Sequence, residues 1–70
     1  MSAFHCQIKA TNPRNRYCDE WGSIVGVAYD PFTQKPSFIV MFSTGDLTYY
    51  PIYPDKDNKQ WEYLFRAIPL

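Results

Sequence analysis

The sequence predicts an α+β domain: a four-stranded antiparallel sheet of meander type, with one C-terminal helix packed on one face. Three observations carry that expectation. Short segments rich in Val, Ile, Phe and Tyr recur between clusters of Pro, Gly, Asn and Asp, which is how strands joined by turns read. One late segment instead repeats its apolar residues at helical spacing. Finally, 19% of the residues are aromatic, two Trp, six Tyr and five Phe. Each such ring buries roughly 150–250 Å² when packed, so rings on a sheet can build a core in a chain near the lower size limit for one. The expected organisation is a single domain over residues 1–70. Residues 1–22 supply an N-terminal strand and a long basic loop, and residues 23–67 a β-β-β-α core.

The first strand is "FHCQIKA", where Phe4, Cys6, Ile8 and Ala10 alternate with His5, Gln7 and Lys9. The parity expects Cys6 buried beside Ile8. "TNPRNRYCDEWG" follows as a long connection, broken by Asn, Pro and charge, and it leaves Cys18 partly exposed. "SIVGVAYD" is a second, β-branched strand, closed by Asp30-Pro31, a pair suited to starting a turn. "PSFIVMFS" is apolar on both parities, Phe38, Val40 and Phe42 against Ile39 and Met41, as a central strand requires. "STGD" makes a tight hairpin with Gly45 in the left-handed position. "LTYYPIY" pairs back as the fourth strand, weakening or lying at an edge by Pro51. In the last segment Trp61, Leu64, Phe65 and Ile68 fall at i, i+3, i+4 and i+7, one apolar stripe. Asp57 and Gln60 form a capping-box pair at its start, and Pro69 ends it. Trp61, Leu64 and Phe65 are then the anchors of a helix on the sheet.

Net charge is zero but uneven. Residues 1–18 carry Lys9, Arg14 and Arg16 and no acid, a balance of +3. Residues 19–70 carry four bases against seven acids, a balance of −3. That differs from the strong basic patch of a dedicated nucleic-acid binder. No basic segment followed by an apolar one opens the chain, and "FIVMF" is far shorter than the roughly 20 residues of a membrane span. The expected setting is therefore the cytoplasm, with no membrane partner. His5 and Cys6 are strand neighbours and point to opposite faces, so they share neither a metal nor a nucleophilic mechanism. No Ser-His-Asp set, glycine-rich phosphate loop or cluster of metal ligands is present. The acidic pairs Asp19-Glu20 and Asp55/Asp57 sit in a loop and beside the expected helix start, where surface carboxylates are ordinary. No enzyme, cofactor or metal is expected.

From Ser23 onward the pattern resembles the KTSC domain, a small module named after the C-terminus of some lysyl-tRNA synthetases. "SIVGVAYD" is similar to that family's opening, "FIVMFSTGDLTYYPIYP" to its middle and "LFRA" to its helix. The resemblance covers residues 23–67. It departs at Thr48, which stands where the family has the first tyrosine of a Tyr-x-Tyr pair, and at "DKDNKQ", which is longer than the family's link. The chain also lacks the family's continuation after the alanine, and residues 1–22 lie outside the match. The resemblance implies a β-β-β-α core and, for Tyr50, a signature position. It also implies the company of small stand-alone proteins of bacteria and phages, for which RNA binding has been suggested.

The expected function is protein–protein docking without catalysis, as in a regulator or inhibitor of the phage or bacterial kind that occludes a partner's site. If phage-encoded, it would act in the host cytoplasm. In "TYYPIYP", Leu47 is taken as the inward residue, which sends Tyr49 inward and Tyr50 outward. Pro51 and Pro54 stiffen the exit and present Tyr53. Tyr50, Tyr53, Asp55 and Asp57 are then the partner-binding residues, an aromatic centre with a charged rim. The alternative is an RNA- or nucleic-acid-binding module that uses Lys9, Arg14, Arg16 and Tyr50. Self-association through the fourth strand is a further option.

Overall fold

The computed structural model describes residues 4–54 and 61–69, and it is all β. Five strands, β1 (Phe4–Ala10), β2 (Trp21–Tyr29), β3 (Pro36–Met41), β4 (Leu47–Pro51) and β5 (Tyr63–Pro69), form one antiparallel sheet. Its order is β4-β3-β2-β1-β5. The first four strands run as a meander, as the turn residues expect. Asp30 Oδ1 accepts the Phe32 and Thr33 amides at 2.8 and 3.4 Å, which starts the β2–β3 turn. Gly45 closes the β3–β4 hairpin at φ 92°, where a side chain would be strained. Pro51 is the last residue of β4, an edge strand, where a missing N–H costs no ladder bond.

The expected C-terminal helix does not form. Its segment is β5, paired with β1 along its whole length from Phe4↔Pro69 to Ala10↔Tyr63. The α+β class and the helical "LFRA" implied by the KTSC resemblance are corrected accordingly. The reason is a double periodicity. Trp61, Leu64, Phe65 and Ile68 have helical spacing, but Tyr63, Phe65 and Ala67 also alternate with Leu64, Arg66 and Ile68. So short an apolar run fits both periods. A helix of two turns is marginal on its own, the rings favour strands, and β1 has an open edge that only a strand can hydrogen-bond. The capping pair Asp57–Gln60 and the link "DKDNKQ" lie outside the described residues.

Directly paired residues share a face, which locates the core. Ile8, Ala10, Val40, Phe42 and Tyr50 are buried on the concave face, with Tyr17, Ile24, Phe38, Trp61 and Tyr63 packed against them. Tyr50 pairs with Phe38, while Tyr49 pairs with Ile39 and Leu47 with Met41. Tyr50 therefore points inward and is 1% exposed, whereas Leu47 points out and is 62% exposed. This reverses the expected parity of the fourth strand. An apolar residue beside a turn is a poor guide to parity, because the ends of a strand lie where cover is thin.

The sheet is strongly curled. A register shift between Ile24 and Gly26 breaks the β2–β3 ladder, a bulge of the kind that bends a strand. At Gly22 a Cβ would collide with Val40 Cγ1 and stand 2.9 Å from the Phe42 ring, so only glycine allows β2 so close to β3 there. As a result the two edge strands meet across the concave face. Tyr50 of β4 and Tyr63 of β5 stack with centroids 5.1 Å apart and planes at 14°. Phe38 and Phe65 make an edge contact at 6.0 Å.

The connection between β1 and β2 takes the place expected of the helix. It is a run of turns in which Asn12 Oδ1 accepts the Arg14 amide and Asn15 Oδ1 the Tyr17 amide, each at 2.9 Å. Asp19, at φ 65°, donates its N–H to Ala10 O at 2.9 Å and returns the chain to the ladder. Tyr17 then lies flat on Phe42, centroids 4.4 Å apart.

The cover reaches only part of the concave face. Cys6 shares the parity of Ile8 but lies beyond the loop and is exposed, which corrects its expected burial. Parity sets the face, not the cover. Both cysteines are free.

Two expectations follow. Ile8→Ala should cost about 2–5 kcal/mol, while Leu64→Ala, at a half-exposed site, should cost under about 1 kcal/mol in urea unfolding. A large loss at Leu64 would mean that its side chain is buried by something other than this sheet. Thiol labelling should modify Cys6 faster than Cys18, whose thiol is pushed up by its surroundings and then by Asp19.

Candidate binding cleft

A cleft of about 320 Å³ opens between the β1–β2 connection, the start of β4 and Trp61. Its floor is Tyr50. The hydroxyl of Tyr50 donates to Asn15 Oδ1 at 3.3 Å, and Asn15 is itself buried. That bond ties the loop to the far edge of the sheet. Tyr17, backed by Phe42, forms one wall, and Trp61, edge-on to Tyr50 at 5.9 Å, forms the other. Leu47 and Thr48 complete the lining from β4.

Arg14 and Arg16 also line the cleft, and both are exposed. The Arg16 guanidinium lies 5.5 Å from the Tyr17 ring centroid, close enough for a cation–π contact. Neither arginine makes an ion pair among the described residues. Two guanidinium forks are thus presented together on a fold whose remaining sequence is net acidic.

Burial sets the ionisation of the tyrosines. Tyr50 is pushed up to about 12, first by burial and then by Tyr17 and Glu20. Tyr63 is pushed up as well, by burial and by Tyr50, and its buried hydroxyl has no partner among the described residues. Around neutrality the Tyr50 floor is therefore a neutral phenol that offers a hydrogen bond and aromatic surface. Among the described residues, no group of three or more His, Cys, Asp or Glu gathers as a metal site needs.

The expected site residues are divided by the fold. Tyr50 is the floor of the cleft, not its exposed platform. Tyr53 is 78% exposed and does not line the cleft. Asp55 and Asp57 lie outside the described residues. Of the expected nucleic-acid set, Arg14 and Arg16 meet here, while Lys9 is on the convex face, 5.0 Å over the Trp21 ring. Asn15, Tyr17, Thr48 and Trp61 were not singled out as site residues. The spacing of Asn12 and Asn15 is a local signal of successive side-chain-capped turns, and a tyrosine within so polar a loop is a signal of docking on the core.

Comparison with family models, with curated proteins and with solved structures finds no match to this chain. No helix among the described residues is long and apolar enough to cross a membrane.

Because Tyr50 is held as the neutral phenol, its share of stability is whole below pH 10 and is lost as pH rises from 10 through about 12. Tyr63 acts in the same direction. Thermal melts should fall steeply above pH 10, with a limiting slope of about 1.4 kcal/mol per pH unit for each such group. Tyr50→Phe should be less stable at pH 8 and less sensitive to alkali.

Proposed function

We infer that the chain is a non-catalytic binding domain that docks on another protein, taking an acidic, extended segment of its partner into the cleft. The observation that supports this reading is the pair Arg14 and Arg16, without ion pairs among the described residues, above a floor and walls of aromatic rings. Guanidinium forks suit carboxylates because they bond bidentately. Tyr, Trp and Arg together are the residue types enriched where proteins bind proteins. The walls are also held before binding, by the Tyr17–Phe42 stack and the Tyr50–Asn15 hydrogen bond, so little ordering cost remains at the cleft. Occupancy is then the mechanism: by holding a partner's segment, the domain hides it from other partners. Two free thiols suit a reducing compartment, so the cytoplasm is the proposed place of action.

Selection from a random peptide library on the folded domain should enrich Asp- and Glu-bearing peptides. Arg14→Ala and Arg16→Ala should each weaken the best peptide by about 1–3 kcal/mol in calorimetry, leaving the melting temperature nearly unchanged. Peptides without acidic bias, or affinities indifferent to both substitutions, would count against the cleft as the docking site.

A further inference from the structure

The convex face carries a second constellation, separate from the cleft. The sheet register places Lys9 opposite Trp21 on one side and Leu64 on the other, and Gln7 opposite Ser23 and Arg66. Lys9, Trp21 and Arg66 thus form a diagonal across three neighbouring strands. Both cations converge on one ring. Arg66 Cζ lies 4.2 Å from the Trp21 centroid and Lys9 Nζ 5.0 Å from it.

Arg66 is held as well as placed. Its Nε donates to Gln7 Oε1 at 2.7 Å, so stacking and hydrogen bond together set the plane of the guanidinium. Using Nε in this way leaves the terminal N–H groups of the fork for a ligand. Next to Gln7, His5 Nε2 and Ser23 Oγ are paired at 2.6 Å, which adds hydroxyl and imidazole to the same strip.

Two like charges gathered on one ring repel each other unless a counter-charge intervenes. Neither Lys9 nor Arg66 makes an ion pair among the described residues. Glu20, just before Trp21, acts on Tyr50 of the other face, and neither it nor Glu62, just before β5, pairs with Lys9 or Arg66 among the described residues. We propose that this strip is a binding site for the phosphate group of a small phosphomonoester or of free phosphate, held between Arg66 and Lys9 beside Trp21. A phosphomonoester carries close to two negative charges near neutral pH, which balances both cations. A carboxylate carries one and leaves a cation unpaired. The guanidinium fork matches phosphate oxygens bidentately, with the ammonium as a point charge beside it. Trp21 and half-exposed Leu64 supply apolar surface for an ester's organic part.

The test is an NMR titration of the whole chain at low ionic strength, following the Trp21 indole and Arg66 Nε–H signals. Inorganic phosphate, phenyl phosphate and benzoate are the three probes. Saturable shifts at Trp21 and Arg66 are expected with both phosphates, and benzoate should bind at least about tenfold more weakly. Lys9→Gln and Arg66→Gln should each weaken phosphate about tenfold, and Arg66→Lys should restore only part of it. Phenyl phosphate binding tighter than inorganic phosphate would identify an ester as the source; equal affinities would identify the free anion. The cleft variants Arg14→Ala and Arg16→Ala should leave the titration unchanged, so this site and the docking cleft stand or fall separately. Shifts that follow benzoate as readily as phosphate, or that map to Arg14 and Arg16, would overturn the assignment. So would affinity found only with a single-stranded oligonucleotide and not with the small phosphates.

Discussion

Tyr50 is the contact on which the rest of this fold depends. Its ring stacks on Tyr63 of the opposite edge strand, meets Phe42 and Trp61 edge-on, and its hydroxyl reaches Asn15 in the long connection. One side chain therefore joins β4, β5, the loop and the concave core. Stacked and edge-to-face aromatic pairs contribute about 0.5–1.5 kcal/mol each beyond area burial, which matters in a chain too short for a large core. The stack forms only because the sheet curls, and the curl rests on two local features. These are the bulge at Ile24/Gly26 and the close approach at Gly22.

The same curl explains the position of the cleft. A flat sheet would leave β4 and the β1–β2 connection far apart. Once β4 folds inward, Thr48, which shares the face of Tyr50, lines the same cleft as Arg14 and Arg16. The loop need not be a helix to cover the core, because each turn ties its own amides through Asn12 and Asn15 and then places Tyr17 on Phe42. Its charged residues stay at the rim. The convex face has a simpler origin: antiparallel register brings Lys9, Trp21 and Arg66 onto one surface from three strands.

Much of this was legible from local pattern. Strands one to four, the Gly45 hairpin, the Asp30 turn and the edge position of Pro51 follow from alternation and turn chemistry, which act over a few residues. The basic character of the loop was legible too, but not that Arg14 and Arg16 would part from Lys9. The fifth strand reads as a helix because its segment carries two periods at once, Trp61, Leu64, Phe65 and Ile68 at helical spacing and Tyr63, Phe65 and Ala67 at strand spacing, and β1 arbitrates between them from more than fifty residues away. Tyr50 was misplaced because its face was inferred from Leu47, the more apolar-looking neighbour. Its pairing with Phe38 decides otherwise.

The sequence by itself determined a small, ring-rich, turn-punctuated β framework, since local backbone preference and side-chain period are encoded within a few residues. Tertiary structure alone decided which strand takes the open edge of β1, which tyrosine is buried and which cations share a surface. Those outcomes depend on pairing register and curl between residues distant in sequence. A one-residue difference in parity exchanges the two faces of a strand. Tyr49 and Tyr50 are adjacent, chemically identical and indistinguishable by propensity, so only the ladder to β3 could tell core from surface.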